Sequence, residues 1–157
     1  MDLQTRVDAV REARISPSTR KLYRGSMTKF LLWLYENNRD LLDPRFLEGI
    51  PDGQSLTKDY IRQVLGPPAI LDRRPIQFDA ITANDFLLWI VSMRKSDDTE
   101  LGSSALSTHR SAFFNLFKDF RETMPSEVSE ELATSFQGIK RDRAKQLQQG
   151  LISLVHH

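Results

Sequence analysis

The sequence predicts an all-α protein, a compact bundle of four to six helices. Apolar residues recur at intervals of three and four in several segments, which is the period of an α-helix packed on one side. Residues that favour helix N-caps precede these segments, and no strand pattern competes with them. The clearest segment runs from Ser103 to Arg121. Its helical stripe, which we expect to face the core, holds Leu106, Phe113, Phe117 and Phe120.

The composition is that of a folded, soluble domain. The chain has 157 residues, of which 39% are apolar and 27% are charged, and this length suffices to bury a core. It contains no cysteine, which excludes disulfides, thiolate catalysis and cysteine-based zinc sites. Its apolar runs fall far short of the roughly 20 residues of a membrane span. With no signal-peptide core near Met1, we expect a cytosolic or nuclear protein.

The first two predicted helices differ in the strength of their starting signals. Residues 1–15 form an N-terminal arm or a weak helix, because Leu3, Val7 and Val10 share one side but no strong cap precedes them. Ser16 and Pro17 are a better start, since serine caps helices and proline fits their first position. The apolar period that follows predicts a helix ending near Asn37 and Asn38.

The middle of the chain is predicted to be mostly irregular. Proline and glycine between Arg39 and Ser55 predict a loop, with a turn near Phe46 and Leu47. A helix is expected from Thr57 to Leu65, stopped by the Gly66-Pro67-Pro68 sequence. The segment from there to Ala80 is expected to be extended or irregular, like a binding loop or an insertion. Its charged residues, expected to be exposed, are Asp72, Arg73 and Arg74.

Three further helix signals complete the domain, which we place at residues 16–150. Thr82 and Asp85 resemble a capping box, which begins an apolar helix expected to run to Lys95. Ser103 or Ser104 is expected to cap the next helix, which Pro125 ends. Ser126 or Ser129 is expected to cap the last helix, which ends at Gly150. Residues 151–157 are expected to form a separate apolar tail that could dock on a neighbour, closing with His156 and His157 as a tag remnant.

Catalytic and metal-binding patterns are scarce. The chain has three histidines, two of them terminal, which leaves little for a histidine metal site or a Ser-His-Asp triad. His109 lies at the margin of the phenylalanine stripe and is expected to pack. Adjacent carboxylates such as Glu130 and Glu131 fit a solvated surface better than acid–base chemistry. We therefore predict no cofactor and no metal, and no hydrolase, because no nucleophile has a base.

Basic residues are segregated although the formal net charge is only +1. They gather near Ser16, on the polar side of the helix after Ser103, and near Lys140. Arginine or lysine one turn after a capped helix start suits phosphate oxygens, because free N–H groups and the helix dipole favour an anion there. The plain alternative is a set of solvated helix faces. The candidate phosphate-binding residues are Thr19, Arg20, Lys21, Arg24, Ser107, Arg110, Ser111, Lys118, Lys140, Arg141 and Arg143.

Several of these segments resemble the core-binding domain of tyrosine recombinases and phage-type integrases. The sequence ISPSTRKLYRGSMTKFLLWL resembles the first helix of that domain. The sequences ITANDFLLWIVSM and RSAFFNLFKDF resemble its later conserved helices. Within the family, HRSAFFNLFKDF and FQGIKRDRAKQLQQG look most like the recombinases of Crypton-type eukaryotic DNA transposons. The resemblance covers the chain from Ser16 to Gly150 and rests on the order and spacing of these motifs.

The resemblance implies a SAM-like helical domain that forms part of a clamp around duplex DNA. Family members cleave DNA with a tyrosine in a separate catalytic domain, whose His-x-x-Arg element does not occur in this sequence. The chain itself is therefore expected not to be an enzyme, and its parent protein to be a recombinase or transposase. Expected partners are double-stranded DNA and other recombinase protomers, with no membrane. The expected location is the nucleus in a eukaryote and the cytoplasm otherwise.

The chain also departs from the family pattern. Ala105 stands where the family often has threonine, and Arg110 stands where it often has an aliphatic residue. The stretch from Gly66 to Ile76 is unusual for the bacterial members. A rival hypothesis is a non-catalytic helical module for protein–protein interaction, whose charges only keep it soluble and which does not bind DNA.

Overall fold

The structure is a computed structural model that describes residues 2–93 and 102–155. Within these ranges it contains helices and no strand, and the all-α prediction is confirmed. A 3₁₀ turn covers Arg39–Leu41. The α-helices are α1 (Leu3–Ala13), α2 (Pro17–Asn37), α3 (Pro44–Glu48), α4 (Lys58–Leu65), α5 (Ala83–Ser92), α6 (Ser103–Asp119) and α7 (Ser126–Val155).

Contacts divide the chain into two compact units. The first unit comprises Met1–Ile81 and Ser107–Thr123, and the second comprises Thr82–Leu106 and Met124–His157. The first therefore contains α1 to α4 and most of α6. The second contains α5, α7 and the first residues of α6.

The predicted N-caps of α2 and α5 are confirmed, and α4 has a cap of the same kind. Ser16 Oγ accepts the backbone N–H of Thr19 at 3.2 Å, ahead of Pro17 at the start of α2. Thr57 begins α4 in the same way. At α5, Thr82 accepts the N–H of Asp85 at 3.2 Å, and the Asp85 carboxylate accepts the Thr82 N–H at 2.8 Å. This reciprocal pair satisfies two N–H groups that the helix leaves open. The helix ends at Ser92, and Lys95 lies outside the described residues.

Other expectations about helix ends were wrong. The predicted loop contains α3, in which Asp43 accepts the N–H of Arg45 at 2.9 Å and Pro44 follows the cap. The same signal, a capping residue followed by proline, begins α2. The prediction missed it here because Pro44 was treated as a helix breaker. At α7, the Pro125 carbonyl accepts the N–H groups of Val128 and Ser129 at 3.1 Å, so Ser126 is the first helical residue and not the cap.

The helix α7 also continues further than predicted. It runs without a break through Gly138 and Gly150 to Val155, so the apolar residues expected to form a separate tail belong to the helix. His156 and His157 lie outside the described residues. A glycine inside a helix costs about 1 kcal/mol relative to alanine, which weakens a helix without having to end it.

Aromatic side chains form the core of the first unit. Phe113 meets Phe30 edge-on with ring centroids 5.7 Å apart, and it meets Phe117 in the same manner at 5.3 Å. Phe78, from the irregular segment before α5, packs on Phe117 at 4.9 Å. The predicted burial of the α6 stripe is confirmed, since each of its four residues is at most 2% exposed.

The second unit has its own aromatic packing. Phe86 of α5 stacks on Phe136 of α7 with ring centroids 6.2 Å apart, and Trp89 lies beside Phe86 at 5.5 Å. All three side chains are buried. The expectation that tryptophan and phenylalanine serve packing rather than base stacking holds for these residues.

Candidate nucleic-acid interface

Among the helices of the first unit, α2 has the most strongly positive N-terminal half. Its basic residues are Arg20, Lys21, Arg24 and Lys29, and its acidic residue, Glu36, lies in the last turn. The first turn carries no acid, so the basic residues lie at the end where the helix dipole is already positive. This end of α2 is therefore a favourable place for an anion.

Helix α6 packs against α2 in the antiparallel direction. Arg20, near the start of α2, faces Asp119 at the end of α6, whereas Ser26, further along α2, contacts His109, which lies earlier in α6. The aromatic pair of Phe30 and Phe113 fills the interior between the two helices. The crossing fixes the basic first turns of α2 beside the last turns of α6.

Two arginines share one carboxylate at this crossing. Arg14, which follows α1, and Arg20 lie 3.7 and 3.8 Å from Asp119 Oδ1. Asn115 donates to the other carboxylate oxygen at 3.0 Å and accepts from Arg14 at 2.9 Å. The Arg20 side chain is only 14% exposed, so the predicted DNA contact at this position is partly occupied by the protein itself.

Arg24 is held by a backbone carbonyl. Its Nη1 donates to the carbonyl oxygen of Gly66, just after α4. Gly66 has φ +73°, and a Cβ there would lie 2.1 Å from the backbone of Pro68, so only glycine fits. Arg24 as a residue is half-buried, and its guanidinium donates to a neutral partner.

A small cleft opens between these side chains. Its cavity volume is about 20 Å³, far below the roughly 300–1,000 Å³ of a metabolite site. It therefore has room for about one water molecule. The residues that line it are Arg20, Tyr23, Arg24, Met27, Leu65, Gly66, Ala112, Asn115, Leu116 and Asp119.

The solvent side of α2 carries lysines around a glycine. Lys21, Gly25 and Lys29 are spaced four residues apart and are exposed, so they form a single stripe. Among the residues that the structure describes, none lies within 4 Å of a Cβ added at Gly25. Packing within the protein does not explain this glycine, and its lack of a side chain leaves the backbone open to a close approach from outside.

Thr19 is the remaining predicted residue on α2. It is half-buried, and its hydroxyl accepts from Ser16 Oγ at 2.9 Å. Thr19 is therefore part of the helix cap.

The predicted residues on α6 point in a different direction from those on α2. Ser107, Ser111 and Lys118 are exposed and lie on one stripe. By helical register this stripe is on the flank opposite the residues that contact α2. Arg110 is half-buried, and its guanidinium lies 5.6 Å from the centre of the Phe114 ring. The two predicted basic arcs therefore do not merge into one surface.

The predicted residues on α7 belong to the second unit. Lys140 and Arg141 are exposed. The side chain of Arg143 lies outside the part that the structure describes, although its backbone is helical.

Ser26 and His109 form a hydrogen bond that the sequence did not predict. Ser26 Oγ lies 2.6 Å from His109 Nδ1, and the two residues are 4% and 9% exposed. Burial lowers the pKa of His109, and the positive charge of Lys29 lowers it further. The expectation of a packed histidine is confirmed. The expectation that no nucleophile has a base was wrong for this serine, but burial keeps the pair away from any substrate.

Sequence reasoning missed several residues at the α2–α6 crossing. Gly25 and Lys29 could have been found by extending the stripe from Lys21 at four-residue steps. Arg14 and Asp119 could not, because their pairing joins positions far apart in the chain. Arg74, expected to be exposed, is half-buried because it pairs with Glu122, whereas Asp72 and Arg73 are exposed as predicted.

Over residues 2–93 and 102–155, the structure contains no group of histidine and carboxylate side chains that could hold a metal ion. No helix in the same ranges is long and apolar enough to cross a membrane. Comparisons with protein-family models, with curated proteins and with solved structures gave no match to this chain.

Proposed function

We propose that this chain is the DNA-binding domain of a tyrosine recombinase or transposase, with α2 as its main DNA-contacting helix. Strand cleavage and exchange would be carried out by a separate catalytic domain. The sequence motifs of α2, α5 and α6 support the family assignment, and the charge distribution of the first unit supports the choice of helix.

One observation carries the proposal, namely the cationic excess of α2. The helix carries four basic residues and one acidic residue, Glu36 in its last turn. Arg24 donates to a carbonyl, which brings no compensating charge. Lys21 and Lys29 are exposed. Arginine and lysine that neutralise phosphates release counterions from DNA, and this release supplies much of the affinity of such proteins.

The structure of α2 suggests different roles for its arginines and its lysines. Arginines held by the protein present their guanidinium groups at fixed positions, which suits contacts that set the register on the backbone. The flexible lysines on the outer stripe add charge. Gly25 between them lets the helix backbone approach the duplex closely. Lys118 on α6 and Lys140 and Arg141 on α7 are additional candidates for phosphate contacts.

The test is binding of a fluorescent duplex, followed by anisotropy over a series of salt concentrations. We expect the unaltered chain to bind with an affinity that falls steeply with salt. The double variant Lys21→Ala/Lys29→Ala should weaken binding and reduce the slope of log K against log salt by about 2.

The matched control is Lys58→Ala/Arg62→Ala on α4, which removes the same charge from exposed positions in the same unit. It should change binding much less than the α2 variant. No binding at low salt would refute DNA binding altogether. Equal losses in the two variants would refute α2 as the contact and leave only a general charge effect.

An exposed apolar stripe favours a second candidate function, protein–protein interaction. Leu3, Val7 and Val10 lie on one side of α1 and are 76%, 44% and 72% exposed. The same stripe could serve contacts between recombinase protomers. A Val7→Glu/Val10→Glu variant would separate the two functions, since it should leave DNA binding by the single chain unchanged and abolish association measured by light scattering.

A further inference from the structure

The solvent side of α2 carries one large apolar side chain among small and basic residues. Leu22 is 61% exposed, and Ser18, Gly25 and Lys29 are exposed as well. Positions 18, 22, 25 and 29 follow one another at intervals of four, three and four, so these residues form one stripe along the helix. Lys21 lies beside the stripe and is also exposed. We call these five residues the outer face of α2.

The neighbours of Leu22 are those of a surface that binds an anionic polymer. Single exposed leucines are common on proteins, so exposure alone says little. Here Lys21 precedes the leucine, Lys29 follows two turns later, and the acidic residue of α2 lies in the last turn. No ion pair among the described residues includes either lysine. The outer face is therefore positively charged around its apolar residue.

The composition of the outer face fits duplex DNA better than a partner protein. An amphipathic helix that docks in a protein groove presents apolar anchors at successive positions such as i, i+3, i+4 and i+7. The positions one turn before and one turn after Leu22 hold Ser18 and Gly25 instead. A single leucine between lysines offers a protein little apolar area, whereas the lysines suit the phosphates that border a groove.

The position of Leu22 along α2 suits contact with base edges. The major groove of B-DNA is wide enough to admit an α-helix, and helices that lie in it contact base edges with residues from their N-terminal turns. Leu22 lies in the second turn of α2, which begins at Pro17. Gly25, one turn further on, has no side chain that would hold the helix away from the groove.

The chemistry of leucine restricts the base that it can contact. Its side chain has no hydrogen-bond donor or acceptor, whereas most groups that bases present in the major groove are donors or acceptors. Covering such a group with leucine would remove its water without replacing the hydrogen bond, which is unfavourable. The exception is the C5-methyl group of thymine, which is apolar and lies in the major groove.

We propose that Leu22 is a specificity-determining residue, which packs against the methyl group of a thymine in the major groove. The proposal rests on the proposed function, because it requires that α2 contacts duplex DNA. It adds a base preference to that function, since contacts from lysine to phosphate carry no direct sequence information.

The experiment compares two fluorescent duplexes that differ only in this methyl group. One alternates adenine and thymine, and the other has deoxyuridine in place of every thymidine. Burying one methyl group changes an equilibrium constant about fourfold, so the unaltered chain should bind the thymine duplex about fourfold more tightly. Leu22→Ala should bind the two duplexes equally. Because Leu22 is exposed, this variant should keep the melting temperature of the unaltered chain.

Leu88→Ala on α5 is the matched control, since Leu88 is a helical leucine that is 52% exposed. It should keep the preference for thymine. Lys21→Ala should weaken binding to both duplexes and leave the ratio of their affinities unchanged. If the unaltered chain binds both duplexes equally, or if Leu22→Ala keeps the preference, the Leu22 proposal is wrong and the proposed function stands. If neither duplex binds at low salt, the proposed function fails and the Leu22 proposal fails with it.

Discussion

The basic segments of α2 and α7 have similar sequences of charge but different surroundings. On α2, Arg20 and Arg24 are partly buried and are held by Asp119 and by the Gly66 carbonyl. On α7, Lys140 and Arg141 are exposed. The same residue types are therefore part of the packing in one unit and lie in solvent in the other.

The two segments differ in the side-chain conformational entropy that they lose on binding an anion. A long exposed side chain loses rotamer freedom when it is fixed on a phosphate, which costs up to about 2 kcal/mol. A guanidinium that the fold already holds has lost most of that freedom beforehand, and its position is defined. We therefore expect α2 to set the position of the ligand and α7 to add mainly salt-dependent attraction.

The largest effect should come from removing the support of Arg24. Gly66→Ala places a Cβ 2.1 Å from the Pro68 backbone at a positive φ, and we expect a loss of at least about 2 kcal/mol in the free energy of unfolding. Gly53→Ala is the matched control, because Gly53 has φ +76° and no described residue lies within 4 Å of an added Cβ. It should cost about 1 kcal/mol. Both values can be measured by urea denaturation.

Equal losses in these two variants would show that the clash at Gly66 relaxes easily. In that case Arg24 would not depend on a rigid carbonyl, and the contrast between α2 and α7 would be weaker than the contacts suggest.

A pair of exposed glycines tests the two segments directly. Gly25 on α2 and Gly138 on α7 both have open space where a Cβ would be. Alanine should stabilise the protein by about 1 kcal/mol at either site. If DNA approaches the backbone at Gly25, only Gly25→Ala should also weaken DNA binding. Denaturation and anisotropy on the same preparations provide both values, and unchanged DNA binding by Gly25→Ala would argue against close approach.

The basic residues of α7 should contribute through charge alone. Lys140→Ala/Arg141→Ala should lower DNA affinity several-fold at low salt, and the difference from the unaltered chain should shrink as salt rises. The loss of DNA affinity caused by Arg24→Gln should persist to a larger extent at high salt, because screening acts less on a partly buried charge. Anisotropy at low and moderate salt measures both. If the losses of DNA affinity in the two variants depended on salt in the same way, the proposed difference between the α2 and α7 residues would be wrong.

The sequence predicted the features of the fold that depend on neighbouring residues. It did not predict pairings between residues that are far apart in the chain. Ser16 and Pro17, or Thr82 and Asp85, lie within one turn of each other, so their caps can be seen in the sequence. The pairing of Arg20 with Asp119 depends on how α2 crosses α6, which no local pattern specifies. The sequence therefore identified α2 as basic but could not show which arginines the fold would hold.

The smallest expected effect concerns the interior side of α2. His109 accepts or donates to Ser26 in the core, and its lowered pKa means that the unfolded chain binds a proton more readily than the folded one. Its stabilising contribution is therefore complete above the ordinary pKa of 6.5 and is lost as pH falls through the lowered value.

The melting temperature of the unaltered chain should accordingly drop between about pH 7.5 and about pH 5.5, where histidine is the side chain that ordinarily titrates. His109→Gln keeps a polar partner for Ser26 without a titrating ring, so it should show a much smaller drop. An equal drop in both proteins would mean that another group controls the response. Because His109 joins α2 to α6, acidification should weaken the positioning of the α2 arginines and leave the exposed residues of α7 unaffected.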